Sequence, residues 1–315
     1  MQNAKNNPLL KFIVNLAITL IPFKWSILKY FAKIDPIHKT ELKTRALGLI
    51  ANKIKNKKSI ETNMGIDADY KCFIPISEHL IVFGKPNEYR GERGPLELAS
   101  SLTRHANGFV DIGAHLGYFV FYVQNFNQGK PIFYFEPNQD LFNIINNNVT
   151  SNKLNNISGT MAAVGNTNGP IEFYNNKSAL MGSIKKDFSL LSHTDIISVE
   201  SIRFSDFLKN TNLNNLCVKV DIEGAEFEFL EGAKAEINKI DFLIIEVLGE
   251  ASKTGFVKKL IDEFDFNAYY INDYKLIRSK NGEYEYVSPE YNWLFCKHNP
   301  LELKDLLKNT KMSIC

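Results

Sequence analysis

The chain has 315 residues, 44% hydrophobic and 23% charged, with a formal net charge of +2. This suits one large soluble domain with additions, or two modest ones, and so small a charge, spread along the chain, gives no sign of a nucleic-acid partner. The four cysteines (Cys72, Cys217, Cys296 and Cys315) contain no Cys-x-x-Cys pair, which argues against a zinc site or disulfide framework and for a reducing, cytoplasmic setting.

The N-terminal run "LLKFIVNLAITLIPF" is apolar, but Lys11, Asn15 and Thr19 recur on one helical face. At 1.5 Å per residue it spans roughly 22 Å, short of a ~30 Å hydrocarbon core. No small-residue cleavage site follows, which speaks against a signal peptide. Lys24, Trp25, Lys29, Tyr30 and Lys33 come next. Three readings stand: a helix packed on the domain or on a second subunit, a helix lying on an anionic membrane surface, and a span. Residues 1 to about 60 read as helical. "YKCFIPISEHLIVFG" reads as two short strands, and a helix is expected from Pro95 to His105.

Strands and helices then alternate. "GFVDIG", "PIFYFEP", "ISGTMAAVG", "NLCVKVDIEG" and "IDFLIIEV" read as strands, with "NAYYIN" and "YNWLFCK" closing the set. The helices between them are "GYFVFYVQNF", "QDLFNIINNNVTSN", "AEFEFLEGAKAEIN" and "KTGFVKKLIDEF". Such alternation predicts βαβ units around a parallel sheet with helices on both faces. Residues 166–204 break it, with strand signals at 171–174 and 196–202 around a polar loop; an insertion of this length is usually functional or mobile.

Ligands of open α/β sheets bind outside the carboxyl ends of the strands. "VDIGAHLG" sits at such an end. It is neither a dinucleotide G-x-G-x-x-G nor a phosphate-binding loop. Gly113 is expected to let the backbone approach a ligand, and Gly117 to let helix and strand pack closely. "FYFEP" ends in Glu136, placed to accept hydrogen bonds from two ribose hydroxyls. Asp111 beside the glycine turn suits a nucleoside whose other end is cationic, such as S-adenosylmethionine, better than a pyrophosphate. The plainer alternative makes both acids helix caps.

With "VKVDIEGAEFEFLEGA" added, the chain resembles the FkbM family of S-adenosylmethionine-dependent methyltransferases. "FVDIGAHLGYF", "YFEPN", "AAVGN", "VKVDIEGAE" and "LIIEV" occur in the family's order, and the resemblance covers roughly residues 85–298. It implies a class I Rossmann-like fold with a mostly parallel seven-stranded sheet, after an N-terminal extension (1–84) and before a C-terminal tail (299–315). It implies O-methylation, often of sugars in surface glycans, glycolipids or related metabolites. Asp111, Gly113 and Gly117, flanked by His115 and Tyr118, match the turn beside the methionine moiety. Glu136 matches the ribose ligand, Ala162 and Ala163 the backbone beside adenine, and Asp221 and Glu223 the acids of the D-x-E-G stretch.

A sugar hydroxyl is a poor nucleophile and needs a base or a metal. Asp221, Glu223 and Glu246 end adjacent strands at the edge where the sulfonium belongs, and are the expected catalytic acids. Asp221 and Glu246 could hold Mg²⁺ or Mn²⁺ with oxygen ligands; the metal-free alternative makes Asp221 or Glu223 the base. Lys219 points to the same sheet face as Asp221 and needs a partner among Asp111, Asp221 and Glu246. His193 is a loop alternative as base. Two readings of other classes remain: a non-catalytic binding protein on this fold, and a nicotinamide oxidoreductase, the latter opposed by the missing G-x-G-x-x-G. The expected partner is a glycan or glycolipid acceptor at the inner membrane face, with a homo-oligomer as a further expectation.

Overall fold

Two short segments containing β-branched residues, Ser59–Thr62 (β1) and Cys72–Pro75 (β2), pair antiparallel, Ile60 opposite Ile74. In this computed structural model the described residues are 59–62, 71–75, 90–176, 181–186, 194–248, 255–279 and 292–315. The N-terminal helix with its membrane or subunit face, and His193, lie outside them. Contacts divide the chain into Met1–Pro86 and Asn87–Cys315. β1 and β2 belong to the first unit, and β1 corrects the expectation of helix up to residue 60.

The second unit opens with α1 (Arg90–Thr103), which begins before Pro95 rather than at it. At Gly94 a Cβ would lie 2.1 Å from the Asp273 carbonyl oxygen, so the helix's first turns rest directly on backbone. Then follow β3 (Gly108–Ile112), α2 (Tyr118–Phe126), β4 (Ile132–Phe135), α3 (Gln139–Ser151) and β5 (Ile157–Thr160). After the inserted strands come α4 (Phe204–Asn210), β10 (Leu216–Val220), α5 (Glu226–Ala233), β11 (Ile240–Glu246), α6 (Phe256–Phe264) and β12 (Asn267–Asn272). The chain closes with β13 (Lys275–Ser279), β14 (Asn292–Cys296), α7 (Pro300–Leu306) and β15 (Ser313–Ile314).

The main sheet has nine strands in the order β15-β13-β12-β14-β11-β10-β3-β4-β5. β5, β4, β3, β10 and β11 run parallel, and β14 is antiparallel to β11 and β12. Seven of the nine, from β5 to β12, form the class I methyltransferase order. β13 and β15 extend the edge beyond the seven strands expected, so the residues read as a tail are a capped helix and a sheet strand. In α7, Asn299 accepts from the N–H groups of Leu301 and Glu302, while Glu302 accepts from the Asn299 N–H.

The central strands β3 and β10 are buried along their whole length, as strands covered on both faces must be. Val110, Ile112, Val218, Val220, Leu243 and Ile245 pack with Phe204, Phe229 and Phe256 of α4, α5 and α6. The alternate positions, Asp111, Lys219 and Glu246, fall on the opposite face by the two-residue period, and there Lys219 lies 4.7 Å from the ring of Phe119 in α2.

"ISGTMAAVG" proves to be two strands in two sheets. β5 ends at Thr160, Met161 and Ala162 turn, and β6 (Ala163–Gly165) starts a four-stranded sheet, β6-β9-β7-β8, built from the insertion: β7 (Gly169–Asn176), β8 (Met181–Ser183) and β9 (Thr194–Arg203). Its small core is Ala163, Phe173 and Val199. α5 lies on β6 so closely that a Cβ at Gly232 would stand 1.8 Å from the Gly165 carbonyl oxygen. Among the described residues no helix is long and apolar enough to cross a membrane, and all four cysteines are free thiols.

Candidate active site

The carboxyl ends of β3, β4, β10 and β11 meet in a set of turns held by backbone bonds. Gly113 and Ala114 donate to the Phe135 carbonyl, each at 3.0 Å, and Asp221 donates to the Ile112 carbonyl at 3.0 Å. The left-handed region recurs here: Gly113 (φ 79°), His115 (52°), Gly117 (78°), Glu223 (53°) and Gly224 (95°). Non-glycine residues held there signal strain that the surrounding structure must support.

The space at Gly113 has a different use from the one read in the sequence. A Cβ there would stand 1.8 Å from the Asp221 carbonyl oxygen, so the glycine admits the neighbouring turn rather than a ligand. At Gly117 the close packing is between helices rather than between helix and strand: a Cβ would meet Ile145 of α3 and Phe121 of α2 at 3.1 Å. Tyr118 opens α2, its buried ring 6.2 Å from that of Tyr122.

Glu136 is buried. Its Oε2 accepts from the His115 N–H at 2.8 Å and its Oε1 from the Asn138 N–H at 2.9 Å. A carboxylate has about four acceptor sites, which leaves two for a ligand. Asp111 is more isolated, 1% exposed with neither carboxyl oxygen hydrogen-bonded among the described residues. Lys219 donates to Asp221 Oδ2 at 2.9 Å, the partner among the three foreseen. The Ser183 hydroxyl, from the inserted sheet, donates to the Glu223 carbonyl at 2.7 Å. The fully buried Glu226 accepts from the Gly224 N–H at 2.9 Å, bracing the same turn.

The electrostatics follow from many acids and one nearby ammonium. Burial pushes the carboxyls of Asp111 and Glu136 up to about 7, the first against the pull of Lys219 and the second against its two backbone donors. Burial, then the Asp221 charge, pushes Glu223 up to about 7. Burial likewise carries Glu226 to about 7. Burial would raise Asp221 too, but the charge and hydrogen bond of Lys219, and a hydrogen bond from Glu246, hold it below the usual range. Glu246 is driven up by burial and by Asp221, so this pair shares one proton and Glu246 carries it. Burial pulls Lys219 down, and Asp221, Asp111 and Glu92 more than reverse that.

Such a cluster is short of positive charge. The net +1 of S-adenosylmethionine (sulfonium and ammonium against one carboxylate) supplies it, and the open acceptor sites on Glu136 fit a ribose diol. Met161 is 45% exposed where β5 ends, and Ala162 beside it is buried. Ala163 instead turns into the core of the inserted sheet.

A divalent metal does not fit. The Lys219 ammonium already occupies Asp221, and like charge beside it would oppose a cation. Among the described residues no group of three or more His, Cys, Asp or Glu side chains is arranged to hold an ion. This corrects the expectation of Mg²⁺ or Mn²⁺ on Asp221 and Glu246.

The model of the methyltransferase FkbM domain matches residues 111–271, about half the chain. The chain belongs to this family of methyltransferases. No curated protein matches the sequence. Solved structures with partial likeness include TrmK of M. capricolum in complex with S-adenosylhomocysteine, at 17% identity over 66% of this chain and 66% of that one, TM-score 0.36. Another is the human methyltransferase 10 domain containing protein, at 12% identity over 75% and 91%, TM-score 0.39. A third is TYW2 of P. horikoshii in complex with MeSAdo, at 12% identity over 77% and 73%, TM-score 0.40.

Within the FkbM match, the sequence reading passed over Asn138, Glu226 and Ser183, which hold the functional turns from behind. Asn138 and Glu226 lie inside the quoted stretches "YFEPN" and "VKVDIEGAE", but side chains that hold turns through hydrogen bonds to backbone leave no periodic trace.

The raised carboxyls set a pH dependence. Asp111, Glu136, Glu223 and Glu226 keep protons to about pH 7 in the fold, whereas an unfolded chain releases them near 4. The folded state therefore binds more protons between these values, and its stability falls as pH rises through about 7. Melting temperatures of the ligand-free protein are expected to decrease from pH 5 to pH 8.5. Stabilisation by S-adenosylmethionine should grow over the same range, and a ligand-free melting temperature that rises instead contradicts the buried-acid account.

Proposed function

We propose that this protein transfers the methyl group of S-adenosylmethionine to a hydroxyl oxygen of a sugar, in a surface glycan, glycolipid or related metabolite met at the cytoplasmic face of a membrane. The observation that carries the reading is Glu223: a carboxyl with a pKa of about 7, next to the Asp221–Lys219 pair. A base poised near the working pH suits a hydroxyl acceptor. The sugar and its setting draw support from the family resemblance and from the basic, aromatic segment that follows the N-terminal apolar run.

When bound, the cofactor supplies an electrophilic methyl group on sulfur, and the electron pair of the broken S–C bond returns to that sulfur. Glu136 orients the ribose. Asp111 and Asp221 face the positive end, with Lys219 keeping Asp221 ionised and still. Glu223 receives the hydroxyl proton as the acceptor oxygen bonds to the methyl carbon. Glu246, protonated, serves as a hydrogen-bond donor rather than a base.

The test is transfer of labelled methyl from S-adenosylmethionine to a panel of sugar nucleotides and cell-envelope glycolipids. Label in an alkali-stable sugar methyl ether supports the proposal. Cofactor binding with no transfer to any member favours a non-catalytic binding protein, and absence of binding overturns the assignment of the site. On the cofactor side, at pH 8, where Glu136 is ionised, Glu136→Ala is expected to weaken S-adenosylhomocysteine binding at least about tenfold, because hydrogen bonds to a charged group are lost. Calorimetry showing unchanged affinity in the folded variant would remove Glu136 from the ribose site.

A further inference from the structure

Asn138 is held on three sides. Its N–H donates to Glu136 Oε1 at 2.9 Å. Its Oδ1 accepts from the N–H groups of Asp140 at 2.9 Å and Leu141 at 3.2 Å, capping α3. Its Nδ2 donates to Asn175 Oδ1 at 3.1 Å. Two backbone donors on Oδ1 fix which end of the amide is which, so the group opposite Nδ2 must be an acceptor. Asn175 supplies it from β7 of the inserted sheet, and both amides are buried, 8% and 7% exposed. The tie therefore runs from the inserted sheet, through Asn138, to a carboxylate with open acceptor sites.

We propose that Asn175 is a positioning residue for the cofactor: through Asn138, the inserted sheet holds the Glu136 carboxylate where it receives the ribose. This rests on the reading of Glu136 given above. Without the Asn175 oxygen, a buried Nδ2 donor loses its partner, which is costly. Asn138 is then expected to shift toward another acceptor. The bond from its N–H to Oε1 shifts with it, and Glu136 is left anchored by the His115 N–H on its other oxygen. The insertion thus belongs to cofactor binding, although its sequence lies between the elements that carry the cofactor motifs.

The experiment is titration calorimetry with S-adenosylhomocysteine, alongside thermal melts, on wild type and three variants. Asn175→Leu is expected to weaken binding about five- to tenfold; if it does not fold, Asn175→Ala carries the same test. Asn175→Asp keeps an acceptor oxygen and should return affinity to within about threefold of wild type at pH 8. Val199→Ala loosens the core of the same sheet without touching the tie, and should lower the melting temperature while leaving affinity within about twofold. Unchanged affinity in Asn175→Leu, no rescue by Asn175→Asp, or an equal loss in Val199→Ala each overturns the proposal. Failure of the wild type to bind the ligand overturns the cofactor reading itself, and the inference with it.

Discussion

Gly113→Ala is expected to lower the melting temperature by about 5–15 °C and to abolish measurable cofactor binding. Two costs combine. An L-residue at φ 79° pays roughly 1–2 kcal/mol. The new methyl group also collides with the Asp221 carbonyl oxygen at 1.8 Å, and backbone must move to relieve it. Displacements of this kind cost roughly 1–3 kcal/mol, and in a chain of this size each kcal/mol moves the melting temperature by roughly 2–4 °C. The movement matters more than the energy, because it separates the turn that presents Glu136's partner His115 from the turn that carries Asp221 and Glu223. Gly129→Ala is the control: it has φ 88° with nothing within 4 Å of the added carbon, so it carries strain without collision. A Gly113→Ala protein as stable as Gly129→Ala, with wild-type affinity, would show that the contact is unimportant.

That glycine also shows where sequence reasoning succeeds and where it stops. The need for space at residue 113 was legible, since glycine at a strand end has few other justifications. What fills the space was not, because the neighbour, Asp221, comes from the turn after β10, more than a hundred residues later. The same divide runs through the fold. Continuous apolar runs and helical periods predicted the seven strands of the methyltransferase order. β13 and β15 escaped because β13 has a mixed burial pattern with no continuous apolar run and β15, the edge strand, is only two residues long. In "ISGTMAAVG" the apolar signal is continuous, yet the chain changes sheets at Met161, a choice set by tertiary pairing of β6 with β9. In the site, the acids were visible by type and spacing. Their ionisation was not, since it depends on Lys219 choosing Asp221 and on Glu246 keeping the shared proton.

That division of protons leads to the other large expected effect. Glu223→Gln is expected to lower turnover by about 10²–10⁴-fold, the range that a positioned base contributes, with cofactor affinity within about twofold of wild type. Asp221 is the weaker candidate for the base. Its Oδ2 is held by Lys219 at 2.9 Å and its pKa lies below the usual range, so it has little affinity for a proton. Glu246 keeps its proton and has no lone charge to offer. Glu223 remains, titrating at about 7 on a strained turn braced by Glu226 and Ser183. The sign of its pH profile follows: turnover rises with pH as Glu223 loses its proton and levels off above. The cofactor's positive charge moves this limb below 7. Because the Asp221 charge raises the Glu223 pKa, Asp221→Asn should shift the limb to still lower pH, whatever it does to the maximal rate. These profiles are measured with the acceptor found in the labelled-methyl panel, at saturating cofactor. A Glu223→Gln enzyme that keeps both its rate and its acid limb would mean that the proton leaves by another route, and an Asp221→Asn limb moving to higher pH would mean that the group being titrated is not Glu223.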